Sequence, residues 1–172
     1  MTVTIRPAQP ADAAGILGVV GDAFSYAGTR DAGEELAIVR GTWSARKGGQ
    51  LIELVAAEGG AVIGHLQAAP GRLDGSPSAV AGVAPVCVAP AHQGLGVGSA
   101  LMGALVHAAE ERHWPLLVLL GDPAYYGRFG FEPGGPLGLS YPPVGADNPH
   151  FQARRLPGYT AALRGAFGYC WE

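Results

Sequence analysis

The run CVAPAHQGLGVGS, Cys87 to Ser99, closes an apolar stretch at Pro90 and then alternates Gly94, Gly96 and Gly98 ahead of a helical pattern. A glycine in or beside a helix costs about 1 kcal/mol against alanine, so glycines at this spacing call for a use other than stability. Bare backbone lets N–H groups close on an anion, and a helix N-terminus adds partial positive charge, so the junction suits a pyrophosphate. Three other readings compete. The glycines could serve only a tight turn and close packing. A P-loop would need Gly-Lys-Ser/Thr, whereas Gly98 is followed by Ser99 and Ala100. A dinucleotide fold would place the loop after the first strand, with an acid about 20 residues on, but this loop comes mid-chain. No close group of His, Cys, Asp and Glu has the spacing of a ligand set, so no metal is expected.

The elements that must position this loop follow from periodicity. TVTIRP alternates Val3 and Ile5 with polar neighbours and reads as a strand; Pro10 and Asp12 then open a helix carrying Ile16, Leu17, Val20 and Phe24. Glu34 to Arg46 is a second helix, with Leu36, Val39 and Trp43 at helical spacing, ended by the turn KGGQ. LIELVAAEGGAVIGHLQAAP is two apolar runs split by Gly59 and Gly60, a β-hairpin; SAVAGVAPVCVAP is a further strand, preceded by a loop over Gly71 to Pro77. From Val97 a helix presents Leu101, Leu105 and Ala108 on one face and stops before Pro115. Leu116 to Leu120 has no polar alternation, as in a strand covered on both faces, so strand, glycine loop, helix and strand form one βαβ-like unit. Late strands are expected around Leu156 and Phe167.

The chain has 172 residues, 48% of them apolar, which suits a single domain over 1–172. A net charge of -3 with scattered Lys and Arg gives no basic field, so nucleic acid is not an expected partner. No apolar segment reaches the roughly 20 residues of a membrane helix, and the N-terminus lacks the pattern of a signal peptide. Cys87 and Cys170 stand far apart within apolar stretches, as buried thiols in a reducing compartment do, so a cytoplasmic location is expected.

VCVAPAHQGLGVGSALM resembles the acyl-CoA-binding signature of the GNAT superfamily of N-acetyltransferases, and YYGRFGFEP resembles its second signature, a Tyr four residues before a Gly-Phe pair. LGDPAYYGRFGFEP is most similar to a bacterial subgroup of acetyltransferases with ill-defined substrates. The resemblance covers the whole order of elements. It implies an α/β fold with a mixed, mostly antiparallel central sheet of splayed strands flanked by helices. It also implies that Gln93, Gly94, Leu95, Gly96, Val97, Gly98 and Ser99 offer N–H groups to the pyrophosphate of acetyl-CoA. Val86, Cys87 and Val88 would pair with the pantetheine arm as an added strand does. Tyr126 would be the acid that protonates the departing thiolate; Tyr125 lacks the spacing to Gly130 and Phe131. The activity implied is acetyl transfer to a primary amine, with a non-catalytic acyl-CoA-binding or sensory module as the alternative, and with homodimerisation left open.

One departure is Leu119, where many relatives carry an Asn seven residues before the Tyr; the turn at Asp122 and Pro123 is the candidate to replace its contact. A second is the general base. Many relatives use a Glu in the central strands, but SAVAGVAPVCVAP holds no carboxylate, which leaves Glu53, His65, Asp122 or water. Against these stand ordinary roles: His65 as a core or surface histidine, Glu53 facing solvent, His92 and His107 exposed. Cys87 is not paired with a histidine by any motif, so it reads as a small hydrophobe and not as an acyl-carrying nucleophile. The acceptor side falls to the loops Phe24 to Asp31 and Pro133 to Asp147, which leave the acceptor open.

Overall fold

Strand β1 (Thr4–Pro7) leads into a 3-10 turn (Pro10–Asp12), from which α1 (Ala13–Tyr26) continues. Asp12 sets this entry. Its carboxylate accepts the Gln9 backbone N–H at 2.7 Å and takes a two-pronged ion pair from Arg6 at 2.7 and 2.8 Å. The Arg6 hydrogen bonds hold the carboxyl at about 2, below its usual 3.8. A lowered carboxyl contributes stability that is whole above the usual value and is lost as pH falls through the lowered one. Asp12→Asn should therefore lower Tm at neutral pH, and its Tm gap from the parent protein should close between pH 4 and 2; a gap that persists at pH 2 refutes the linkage.

The computed structural model describes residues 2–26, 32–45, 50–145 and 147–171. After α1 come α2 (Gly33–Ala45), β2 (Ile52–Glu58), β3 (Ala61–Leu73), β4 (Ser76–Val88), a 3-10 turn (Pro90–His92), α3 (Val97–Glu111), β5 (Leu116–Leu120) and α4 (Pro123–Tyr126). The chain ends with β6 (Glu132–Pro133), β7 (Leu139–Ser140), β8 (Phe151–Arg155) and β9 (Gly165–Gly168). Strand neighbours follow the order β1-β2-β3-β4-β5-β8-β6. The β1/β2, β2/β3, β5/β8 and β6/β8 pairs are antiparallel, and β4/β5 is parallel over Val80↔Leu116, Ala81↔Leu117 and Gly82↔Val118. This is the mostly antiparallel open sheet of the expected α/β class.

The chain forms two compact units: Met1–Ala68 with Ala84–His107, and Ala69–Val83 with Ala108–Glu172. In the first, Ile16, Val19 and Val20 of α1 and Val39 of α2 bury a cluster with Val55 of β2 and Cys87 of β4. Side chains alternate across a strand, so His65, directly opposite Val55 in the ladder, shares that face while Gly64 takes the other. There Leu101 of α3 would lie 3.1 Å from a Cβ on Gly64, so helices cover both sides of β2 and β3. In the second unit, Leu116 to Leu119 are all buried, as their unbroken apolar run predicts. Phe151, Phe167, Tyr169 and Trp171 form a chain of ring contacts with centroids 4.4 to 6.4 Å apart. Gly71 and Gly82 make room for it, since a Cβ at either would meet the Phe167 ring and, at Gly82, the Tyr169 ring as well.

Several sequence expectations are corrected. The stretch from Gly71 to Pro77, expected as a loop, is mostly strand, with only Asp74 and Gly75 in a turn of positive φ (48° and 77°). The reason is β9, a partner far along the chain, which pairs with Arg72 and Leu73, accepts the Asp74 N–H at the Ala166 carbonyl and donates the Ala166 N–H to the Asp74 carboxylate, both at 2.8 Å. Cys170 is half-buried, unlike the buried Cys87. The expected helix Glu34 to Arg46 is observed as α2, Gly33–Ala45. Residues 46–49, and with them most of the KGGQ turn, lie outside the described residues, as do residues 27–31 and 146 of the two acceptor-side loops.

Candidate active site

The glycine loop stands where its sequence placed it, between the end of β4 and the first turn of α3. Gly94 and Gly96 adopt φ of 74° and 85°, a left-handed backbone that L-residues with side chains rarely take. Gln93, Gly94, Leu95 and Gly96 are exposed, while Val97 turns inward and anchors the helix to the core. Intrahelical bonding begins with Ala100 N–H to the Gly96 carbonyl at 3.0 Å. Thus Val97, Gly98 and Ser99 carry first-turn N–H groups with no partner inside the helix. Among the described residues, no hydrogen bond uses the N–H of Gly94, Leu95 or Gly96 either. Gln93 differs. Its N–H closes the preceding turn onto the Pro90 carbonyl at 3.3 Å, and its side-chain amide donates to the Val88 carbonyl at 3.1 Å, tying the loop to the strand that leads into it.

His92, expected to be exposed, is half-buried, with Nε2 3.3 Å from Glu58 Oε2 at the end of β2. His107 lies on an exposed face of α3 as expected. Along β4, Val86 and Val88 are partly accessible and Cys87 is buried in the α1/α2 cluster. Burial pushes the Cys87 thiol up to about 12, so it stays protonated at neutral pH and has no thiolate to offer as a nucleophile.

Two of the named base candidates come together. Glu53 on β2, for which a solvent-facing role was the alternative, is buried, and its Oε1 lies 3.1 Å from Nε2 of the fully buried His65 on β3. The ladder explains the meeting: Glu53 opposes Gln67 and Val55 opposes His65, so Glu53 and His65 are diagonal neighbours on one face. From α2, Trp43 donates its indole N–H to the same Glu53 oxygen at 2.7 Å, and the Thr42 hydroxyl donates to Gln67 Oε1 at 2.9 Å. The third candidate, Asp122, is exposed and occupied as the cap of α4, its Oδ1 accepting the Ala124 N–H at 2.9 Å.

In the second unit, Tyr126 ends α4 half-buried, edge-on to Tyr125 (4.9 Å between centroids) and to Phe131 (6.0 Å). The Tyr125 ring lies under the Arg128 guanidinium at 4.7 Å, and burial raises its phenol. Gly121 is required here, because any Cβ on it would collide with the Tyr126 ring. Gly130 turns the chain at φ 78°, and Arg154 of β8 reaches past it to donate to the Phe129 carbonyl. Leu119, in the place of the relatives' Asn, is buried in the sheet opposite Gln152, whose amide donates to the Gly121 carbonyl at 3.0 Å. Sequence reasoning missed Gly121, Trp43 and Arg154; only Gly121 had a local signal, the Gly-Asp-Pro turn before the tyrosines. Among the described residues no group of three or more His, Cys, Asp or Glu could hold a metal ion, and no helix is long and apolar enough to cross a membrane.

Comparison with known proteins agrees with this geometry. A family model, the acetyltransferase (GNAT) domain, matches residues 4–134. The uncharacterized N-acetyltransferase YhbS of Escherichia coli strain K12 is 36% identical over 73 residues, which is 42% of this chain and 44% of that protein. The chain thus aligns with under half the length of this curated relative. Among solved structures, the E. coli GNAT family N-acetyltransferase YhbS in complex with CoA superposes with a TM-score of 0.80 at 30% identity, over 97% of this chain and 89% of that one. A GNAT family acetyltransferase from Brucella melitensis in complex with acetyl-CoA does so with a TM-score of 0.77 at 30% identity, over 98% and 96%. By the family model and by relatives of this identity and coverage, the chain belongs to the GNAT family of acetyltransferases.

Proposed function

We propose that the protein, acting as one N-acetyltransferase domain over 1–172, transfers an acetyl group from acetyl-CoA to a primary amine by direct attack. The observation that carries this reading is the run of uncommitted N–H groups from Gly94 through Ser99, on a backbone opened by two left-handed glycines at the start of the 15-residue helix α3. Phosphate oxygens are the acceptors such a nest fits. The two structural relatives at 30% identity, one bound to CoA and one to acetyl-CoA, support the same ligand class.

In this reading Gly94 to Ser99 hold the pyrophosphate, while Gln93, expected to offer its N–H as well, spends it on the Pro90 carbonyl and braces the loop against Val88. Val86, Cys87 and Val88 lie past the last β4 residue of the β4/β5 ladder, Gly82, so the amide-bearing pantetheine arm can take their backbone groups as partners. Strand N–H groups there stabilise the oxyanion that develops on the thioester carbonyl. The amine nitrogen forms the new bond to the acyl carbon, the C–S bond breaks, and Tyr126 donates a proton to the leaving thiolate. The acceptor's own proton must go to a base.

The test is release of free thiol from acetyl-CoA by the purified chain in the presence of a pool of primary amines: a diamine, an arylalkylamine and a peptide with a free N-terminus. Amine-dependent thiol release that survives exhaustive chelation is expected. Acetyl-CoA binding with no amine-dependent release would instead identify an acyl-CoA-binding module, and restoration by one divalent ion after chelation would overturn the metal-free mechanism.

A further inference from the structure

The proton that the acceptor ammonium must lose calls for a base that an acceptor can reach. Glu53 and His65 are buried, and Asp122 is occupied as the cap of α4. His150, in the turn that leads into β8, is exposed, yet its ring is held: Nδ1 lies 3.1 Å from the Gly121 carbonyl oxygen. A carbonyl oxygen only accepts, so this contact places the imidazole proton on Nδ1 and leaves the basic lone pair on Nε2. Among the described residues no hydrogen bond or ion pair uses Nε2. The ring is therefore an accessible base with a fixed tautomer.

The backbone at this position is secured without the ring. The β5/β8 ladder runs to Leu120↔Phe151, and one residue further the Gly121 N–H donates to the His150 carbonyl at 2.9 Å. The Asn148 side chain accepts the His150 N–H at 2.9 Å, and the Asn148 carbonyl accepts the Phe151 N–H at 3.1 Å, which closes the turn. The Gly121 carbonyl already receives the Gln152 amide at 3.0 Å, so neither the turn nor that carbonyl needs an imidazole to be satisfied. Gly121 is also the residue whose missing side chain makes room for the Tyr126 ring. One glycine at the end of β5 thus holds the imidazole on its carbonyl and the phenol against its α-carbon.

We propose that His150 is the proton acceptor of the acetyl transfer, its Nε2 taking a proton from the acceptor ammonium. This rests on the acetyltransferase reading above. The ammonium nitrogen gives up two protons in all. One passes to Nε2 before attack, restores the lone pair that bonds the acyl carbon, and returns from the imidazolium to solvent after turnover. The other leaves the nitrogen as the C–S bond breaks and balances the proton that Tyr126 gives to the thiolate. No oxidant, reductant or metal takes part.

The test compares parent, His150→Asn and His150→Ala proteins in the thiol-release assay with the same amine pool, alongside acetyl-CoA affinity by calorimetry and Tm. Asparagine puts an amide N–H where Nδ1 donates to Gly121 but carries no basic nitrogen. His150→Asn should therefore keep the parental Tm, hold acetyl-CoA affinity within a few fold and lower kcat by about 10²-fold. In His150→Ala, imidazole added at fixed pH should restore the rate in proportion to its concentration while leaving the parent unchanged, a response that a structural role does not produce. A His150→Asn protein at the parental kcat, or a His150→Ala loss that imidazole leaves in place, overturns the assignment. Ring nitrogen spectra of histidine-labelled parent protein, assigned by the signals missing from His150→Asn, give a reading independent of turnover. The Nδ1–H tautomer is expected at His150; the Nε2–H tautomer contradicts it. A parent protein that binds acetyl-CoA but acetylates no amine overturns the acetyltransferase reading itself, which separates that failure from this one.

Discussion

Tyr126→Phe is expected to lower kcat by about 10²–10⁴-fold while acetyl-CoA affinity stays within a few fold, because under the proposed mechanism the substitution keeps the ring and removes only the hydroxyl. The packing argument is specific. The Tyr126 ring fills the space left by the missing side chain of Gly121 and meets Tyr125 and Phe131 edge-on, contacts that phenylalanine reproduces. A phenol is acidic enough to protonate a departing alkylthiolate, so the loss falls on the step in which the C–S bond breaks. Tyr125→Phe is the control. Tyr125 is engaged with Arg128 and Phe129 and lacks the motif spacing, so its variant should stay near the parent rate. A Tyr126→Phe protein with parental kcat, where chemistry limits turnover, removes Tyr126 from the mechanism. A crippled Tyr125→Phe protein would mean that the motif is placed one residue off.

The second large effect is at the loop. Space around Gly96 is open, with nothing within 4 Å of a Cβ built there, so Gly96→Val does not clash with the protein. It fails for another reason. Gly96 has φ of 85°, a conformation that a β-branched residue resists, so valine pulls the backbone away and turns the N–H groups of the nest aside. If the nest holds the pyrophosphate, losing two charge-assisted hydrogen bonds at roughly 1.5–3 kcal/mol each should raise the Kd for CoA by about 10²-fold or more, on the scale of about 1.4 kcal/mol per tenfold. Because the loop is exposed and carries no core contact at this position, Tm should change far less than affinity does. Unchanged affinity in a folded Gly96→Val protein would exclude the loop as the anion site.

The positions of the glycine loop and of the Tyr126 turn were legible in the sequence because their signals are local. The alternate glycines report a left-handed backbone directly, the start of α3 at Val97 follows from its apolar face, and β5 from an unbroken apolar run. Sequence reasoning also named Glu53 and His65, but one at a time and with ordinary roles beside them. Their meeting depends on the β2/β3 register, and their cover comes from Trp43 on an earlier helix, so neither neighbour can be read from spacing along the chain. Arg154 was invisible for the same reason. It reaches the Tyr126 segment only because β8 pairs with β5, bringing a late strand beside the second motif. The turn at Asp74 and Gly75 was overextended into a loop because β9, which lengthens β3, lies about 90 residues away, an interval no local pattern spans. Asp122, named as a base candidate and as part of a turn, is instead the cap of α4, a duty that Asp before Pro signals locally but that was not read from it.

The proposed acyl-CoA site consists of the backbone from Gly94 to Ser99 and the strand segment Val86 to Val88. The most direct measurement is an amide chemical-shift titration of the isotope-labelled full chain with acetyl-CoA, with ATP as a parallel arm. Saturable perturbations concentrated on the N–H groups of Gly94, Leu95, Gly96, Val97, Gly98, Ser99 and Val86 to Val88 are expected, with no comparable saturation by ATP. Saturation with acetyl-CoA that leaves these amides unmoved, or an equal response to ATP, would contradict this assignment.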